Sequence, residues 1–411
     1  MATQPVRSAA PPASVEHEHP RPADGLARPP AWESTRPLTV EALAVAFDHP
    51  EPFTIGVEEE LLLVDPVRLE LVPAVDDVLE LLGRDDRYAR ELRPSQLETV
   101  TRVCTTAADA CRELTAARRD LVIALDGRYR VLASGTHPTS LPWGQITDAD
   151  RYRQIADEYP WAARRSLACG LHIHVAVSGA DRALAVYNAL RSYLPELAAV
   201  GANSAFFEGR DTGMSSVRPK LNEAFPRSGI PPAFAGWDEL VRFVEWGRRG
   251  GLFPDATHLW WELRPHPVHG TLEIRVVDTQ TRLEDAAAIV ALVQALVVRL
   301  VEQHDAGEPL PVHETHRIAE NSWRAHRHGV RGWVVDLDTG VQEPMRDRIA
   351  RLVAELEPYA ERYGALDHLT DVRGLLVDNG SDRQRYVQER EGVDGLVRWL
   401  VDQTERSATG A

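Results

Sequence analysis

Cysteine is scarce in this chain: Cys104, Cys111 and Cys169 are the only three among 411 residues. An odd, sparse set is not a disulfide framework. It fits a reducing compartment, where cysteines behave as small buried hydrophobes. Long apolar runs are also missing. The most apolar stretch, residues 286–300, falls short of the roughly 18 residues a membrane helix needs and runs into Glu302 and His304. The first 25 residues contain no apolar segment, so no signal peptide is expected. Positive charge is short as well, with 46 Lys and Arg against 62 Asp and Glu and a formal net charge of −16. No basic stripe stands out, which argues against nucleic acid as a partner. A soluble, cytoplasmic protein with no membrane contact is the expectation. Common local signatures are absent too. Without a Walker loop or a Gly-x-Gly-x-x-Gly turn, any nucleotide must be held by side chains and metal. No Gly-x-Ser-x-Gly elbow anchors a hydrolase triad.

What is present is enough apolar material, 44% of the residues, for one large core. Residues 1–45 are rich in Pro, Ala, Glu, His and Arg and are expected to be disordered or weakly ordered. Within them His17 and His19 either bind metal weakly or belong to a solvated tail, and the segment VEALAVAFDHP begins a short helix. Residues 46–406 are expected to form a single catalytic domain, and 407–411 a flexible tail. Strands are expected over residues 53–66, near 91–104, over 167–179 and twice within 258–280, where apolar and polar residues alternate. Helices are expected over 105–127, 183–207 with a bend near Pro195, 238–253 and 283–304, and through most of the chain after Pro344. Residues 208–232, rich in Gly, Ser and Pro, are expected to be a long functional loop. Strands and helices do not alternate regularly, which favours an α+β fold around an antiparallel sheet.

Three strands carry paired polar groups in apolar surroundings. In VEEEL, period-two geometry places Glu58 and Glu60 on one face and Glu59 on the other. Two like charges buried side by side call for a cation between them, and Mg²⁺ accepts carboxylate oxygens together with phosphates. An exposed acidic edge strand is the alternative. His172 and His174 share a face of their strand, either as ligands or as hydrogen-bonded histidines. Two histidines with an acid could also hold zinc in a hydrolase, although no Cys-x-x-Cys or His-Glu-x-x-His supports that. Glu273 and Arg275 repeat the pattern, a carboxylate for metal and a guanidinium for phosphate, or else a surface pair. Glu98, in SQLETVT, could add a further acid. Arg317, Asn321 and Arg324 fall on one helix face in the densest basic run of the chain, suited to a triphosphate or simply to solvent.

These pieces, TIGVEEELLLVD, SQLETVT, ASGTHP, CGLHIHVAVSG, ANSAFFEGRDTGMSSVRPKL, GTLEIRVVDTQ and ENSWRAHRHGVRG, in this order, resemble the glutamate–cysteine ligase type 2 family of carboxylate–amine ligases. The resemblance implies a curved antiparallel sheet forming a bowl with helices outside, as in glutamine synthetase and guanidino kinases. It also implies an ATP- and Mg²⁺-dependent ligase, with Mn²⁺ as an alternative ion. Its default substrates would be the γ-carboxylate of glutamate and the amine of cysteine, joined through an acyl phosphate. Glu58, Glu60, Glu273 and His172 would bind metal. Glu98, Arg275 and Arg324 would be catalytic. His174, Asn321, Arg324 and Arg275 would hold nucleotide or phosphate, and Arg218 and Lys220 would lie on a substrate loop. The alternatives are other substrates in a specialised pathway, a guanidino-type phosphotransferase and a non-catalytic relative. A homo-oligomer, by default a symmetric dimer, is the expected assembly.

Overall fold

The structure is a computed structural model that describes residues 37–48, 51–141 and 143–410. Residues 1–36, with His17 and His19, lie outside the described residues. Val40–Ala46 forms the short helix expected there, capped by the Thr39 hydroxyl, which accepts from the Ala42 N–H.

The strands are β1 (Ile55–Val64), β2 (Tyr88–Arg90), β3 (Gln96–Val100), β4 (Arg130–Leu132), β5 (Gly170–Ala176), β6 (Phe206–Phe207), β7 (Arg210–Asp211), β8 (Leu263–His266), β9 (Thr271–Asp278), β10 (Trp333–Val335) and β11 (Gln342–Pro344). Seven of them make one antiparallel sheet in the order β2-β3-β1-β5-β9-β8, with β4 also paired to β1. The α+β class agrees with the sequence reading, but the curved bowl does not. The sheet is an open path that ends at β2 and β8 and does not curl round to close. Its end strands are only three and four residues long and do not pair with each other.

The pleat of β1 positions everything else. Ile55, Val57, Leu61 and Leu63 point to one face and are buried there. That face packs on the helices Ala107–Leu125 and Leu283–Asp305. The second helix is buried on nearly every side, as expected for a helix apolar all round its circumference. Gly56, Glu58 and Glu60 point to the opposite face, followed by Leu62 and Val64. These last two are covered by Leu396, Val397, Leu400 and Val401 of the final helix. That helix runs to Thr409, beyond the point where the sequence suggests a soft tail. The opposite face is therefore polar only up to Glu60, where apolar side chains close it off. The helical stretch 180–200 breaks as expected near Pro195, through a 3₁₀ turn at Arg191–Tyr193.

Candidate active site on the polar face of the sheet

Strand register gathers the polar groups on one face. Glu60 lies opposite Glu98 on β3, Glu58 opposite His172 on β5, and His174 opposite Glu273 on β9. Arg264 on β8 lies opposite Glu273, and the Arg275 N–H donates to the Glu262 carbonyl at 2.8 Å. A register irregularity between Leu171 and Ile173 shifts β9 by one residue. Past it Val277 packs with the core, and Asp278 takes the polar side opposite Gly170. Such bulges re-aim side chains beside functional sites. At ~4.8 Å per strand the floor from β2 to β8 is roughly 24 Å across. It underlies a cavity of about 490 Å³ whose walls include Glu58, Glu60, Glu91, Glu98, His172, Arg218, Glu262, Arg264, His266 and Arg275.

Glu58 receives both histidines: His172 Nδ1 lies 3.2 Å from Oε2, and His174 Nε2 lies 3.2 Å from Oε1. Burial opposes its charge, but these hydrogen bonds outweigh it and hold the carboxyl well below the usual range. The other nitrogen of His174 meets the Thr271 hydroxyl at 2.8 Å, which fixes the ring. Burial and the neighbouring Arg275 charge push His172 down to about 4, so its ring is neutral, with Nε2 3.9 Å from Glu60. Glu60 accepts the Gly170 N–H at 2.6 Å, yet burial and the Glu91 charge push it up to about 8. Gly170 is needed for space, since a Cβ there would sit 2.8 Å from His172 Nε2 and 3.2 Å from Arg218 Nη1. Burial, followed by the charges of Glu91, Glu58 and Glu60, raises Glu98 well above the ordinary range. Glu273 is buried between two arginines. Arg264 Nε donates at 2.7 Å and Nη2 at 3.1 Å, and Arg275 donates from Nη1. Those two charges overcome its burial and hold it well below the ordinary value.

Among the described residues two groups could each hold a cation: Glu58, His172 and Glu273, and Glu60, Glu98 and His172, each with donor atoms within 4.8 Å of one another. His172 belongs to both. The sets are mostly carboxylate with one imidazole, and neither contains a thiolate, so they suit a hard, oxygen-seeking divalent ion.

The structure thus brings Glu58, Glu60, Glu98, His172, His174, Glu273 and Arg275 to one floor. Residues 208–232 are not one loop: they hold strand β7 and a short helix, Arg218–Asn222, and the first residue of that helix, Arg218, donates from Nε to Asp278 at 2.9 Å and from Nη2 to the carbonyls of Arg275 and Val277. Lys220 turns away, pairing with Glu223 and lying 5.2 Å from the Trp323 ring centre. Asn321 and Arg324 are not brought to the floor. They line a separate cavity against the β10–β11 hairpin, where the Asn321 amide donates to the Val335 carbonyl at 2.7 Å and accepts its N–H at 3.0 Å. Four floor residues escaped the sequence reading. Glu262, Arg264 and His266 alternate in WELRPH, a period-two signal beside the Glu273–Arg275 strand that could have revealed them. Glu91 follows a strand of only three residues and gave no such signal.

The comparisons with known proteins agree with this geometry. Residues 54–403 match the profile of glutamate–cysteine ligase family 2. Two proteins of Rubrobacter xylanophilus, named as candidate glutamate–cysteine ligases 2-1 and 2-3, are similar over 365 residues. They are 38% and 39% identical, and each match covers 87% of this chain and 96% and 99% of the relative. Among solved structures, a glutamate–cysteine ligase of Francisella tularensis in complex with AMP superposes with a TM-score of 0.63 at 12% identity. It covers 89% of this chain and 90% of its own, a likeness of fold. The chain belongs to glutamate–cysteine ligase family 2 and is an enzyme of the ATP-dependent carboxylate–amine ligase class. No helix among the described residues is long and apolar enough to cross a membrane.

Proposed function

We propose that the protein joins the γ-carboxylate of glutamate to the amine of cysteine at the expense of ATP, on the polar floor of its sheet, with Mg²⁺. The observation that carries this reading is the floor itself: carboxylates clustered at β1 and β3, with Arg275 two strands from β1 on β9 and Arg264 beyond it on β8. The donor sets fit a hard divalent cation, and Glu58, Glu60, Glu273 and His172 would hold it. Bound there, Mg²⁺ would offset the negative charge that builds up when a carboxylate meets a triphosphate.

The remaining chemistry falls to the chain. In the first step the substrate carboxylate attacks the γ-phosphorus and ADP leaves, giving an acyl phosphate. Arg275, anchored by Glu273, presents its guanidinium to the transferring phosphoryl oxygens, where fixed positive charge stabilises the transition state. His174, locked between Thr271 and Glu58, keeps Glu58 ionised and aimed. In the second step the amine attacks the carbonyl, phosphate leaves and an amide remains. The amine must arrive neutral, and Glu98 would take its proton. Burial and the charges of Glu91, Glu58 and Glu60 raise its affinity for that proton, and only the ionised fraction of Glu98 accepts it. Arg218 belongs to the cavity wall on the substrate side. Asn321 and Arg324 line the separate cavity against the β10–β11 hairpin, and no step on this floor is assigned to them.

The test is ATP consumption with Mg²⁺ and glutamate against a panel of amines, with products read by mass spectrometry. A product equal to both substrates minus water, with ADP and phosphate, supports the proposal. A phosphorylated single substrate would move the enzyme to phosphotransfer. Turnover with a different carboxylate or amine would replace the substrate pair.

A further inference from the structure

At the β8 edge of the floor a buried carboxylate forms no ion pair with a lysine or arginine among the described residues. Glu262 is 7% exposed and lines the cavity, the Ser322 hydroxyl is a neighbour that favours its charged form, and its Oε2 has no hydrogen-bond partner among the described residues. It belongs to neither candidate cation group, unlike Glu58, Glu60, Glu98 and Glu273. The fully buried His326 lies beside it, with Nε2 4.0 Å from Glu262 Oε1 and neither ring nitrogen hydrogen-bonded among the described residues. Burial, with the charges of Lys220 and Arg218, holds His326 well below the usual histidine range, so it remains neutral and supplies no charge. Burial also pushes Glu262 up to about 7, against the pull of Lys220 and Arg218. A buried carboxyl in this condition gains much from an arriving cation that donates hydrogen bonds.

An anion-seeking group stands nearby in the same cavity wall. Arg218 spends Nε and Nη2 on Asp278 and two backbone carbonyls, while Nη1 makes no hydrogen bond among the described residues. Gly170 leaves open the space beside Nη1 and His172 Nε2. Trp260, Trp261 and Asn222 complete this end of the cavity. An acceptor for ammonium and a donor for carboxylate, set together at one end of a floor, match the head of an α-amino acid.

We infer that Glu262 is the specificity-determining residue for the α-ammonium of the carboxylate substrate, with Arg218 holding the α-carboxylate, so that this enzyme activates free α-amino acids in preference to simple dicarboxylates. The inference rests on the glutamate reading above and adds the residues that recognise the head group. A charge-assisted hydrogen bond to a buried group corresponds to a preference of about ten- to a hundredfold.

The experiment is equilibrium titration of the full chain with L-glutamate, glutarate (no amino group) and 4-aminobutyrate (no α-carboxylate), with Mg²⁺ and a non-hydrolysable ATP analogue present. The unaltered protein should bind L-glutamate at least about tenfold more tightly than glutarate. That preference should collapse in Glu262→Gln and return in part in Glu262→Asp. Equal binding of glutamate and glutarate by the unaltered protein would overturn the inference, as would a preference that survives in Glu262→Gln. If Glu262→Gln does not fold, the analogue series on the unaltered protein still decides. Failure of the ligase reading looks different: glutamate binds with its amino-group preference, yet no amide forms with any amine. Absence of glutamate binding, with amide formation from another carboxylate that lacks an α-amino group, would overturn this inference and leave the ligase class standing.

Discussion

The middle acid of the Glu58-Glu59-Glu60 run offers the sharpest test of the fold. Glu59 points away from the floor and is 0% exposed, paired with Arg118, itself 1% exposed, on the helix Ala107–Leu125. Arg118 Nε donates to Glu59 Oε2 at 2.7 Å and Nη2 donates to Oε1. The same guanidinium also serves the carbonyls of Gln280 at 2.6 Å and Thr281 at 3.0 Å. It ties β1 to the segment that follows β9. Glu59→Gln keeps the shape and removes the charge, leaving a buried guanidinium without its counter-ion. Breaking a buried pair from one side costs about 3–5 kcal/mol. A chain of this size shifts its melting temperature by ~1.2 °C per kcal/mol, so the expected drop is about 4–6 °C by calorimetry. The double variant Glu59→Leu/Arg118→Met removes both charges and should recover most of the loss. The two freed carbonyls should keep it about 1–2 kcal/mol below the original. ATP turnover measured well below the melting temperature should change little, because Glu59 faces the helices. A Glu59→Gln protein that melts within about 1 °C of the original would refute the reasoning. So would a double variant no more stable than the single one.

Glu58→Gln and Glu273→Gln should each lower Mg²⁺-dependent ATP turnover by at least about a hundredfold while the protein stays folded, and normal turnover in both would dismiss the proposed cation sites. Gly170→Ala should cut turnover about ten- to a hundredfold with little change in melting temperature, because the new Cβ collides with His172 and Arg218 in the cavity. An unaffected rate would show that neither side chain needs its present position. His137 should give a pH signature in stability. Its Nε2–H donates to the Leu69 carbonyl at 2.9 Å, Nδ1 accepts the Thr139 and Ser140 N–H groups, and burial pushes it down to about 4 from 6.5. The unfolded chain takes the proton first, so this contribution is complete above pH ~6.5 and fades as pH falls toward 4, with roughly 2 kcal/mol lost by pH 5. Urea unfolding at pH 7 and pH 5 should show that difference shrink in His137→Gln, and an equal loss in both proteins would assign the acid sensitivity elsewhere.

Much of the site could be read before any fold was known, because a strand's period of two is written into its sequence. Alternation alone assigned Glu58 and Glu60 to one face, His172 and His174 to another strand's single face, and Glu273 and Arg275 to a third. The antiparallel α+β class followed from the irregular order of strands and helices. The bowl taken from the resemblance did not hold, since curvature and closure depend on how end strands pair, and β2 and β8 are left as short open edges. Helix geometry was legible for Asn321 and Arg324, but not which neighbour that helix face would meet. It meets the β10–β11 hairpin.

The sequence by itself determined which residues are chemically equipped and which of them share a strand face, because covalent geometry sets those relations within a few residues. It also determined the family, through motifs kept in order along the chain. Tertiary structure alone decided which strands become neighbours. Register across β1, β5, β9 and β8 set Glu58 against two histidines, gave Glu273 two arginines, and left Glu262, at the edge of the floor, in no ion pair with a lysine or arginine among the described residues. Those relations join residues far apart in the chain, and their energies depend on burial, which no local pattern encodes.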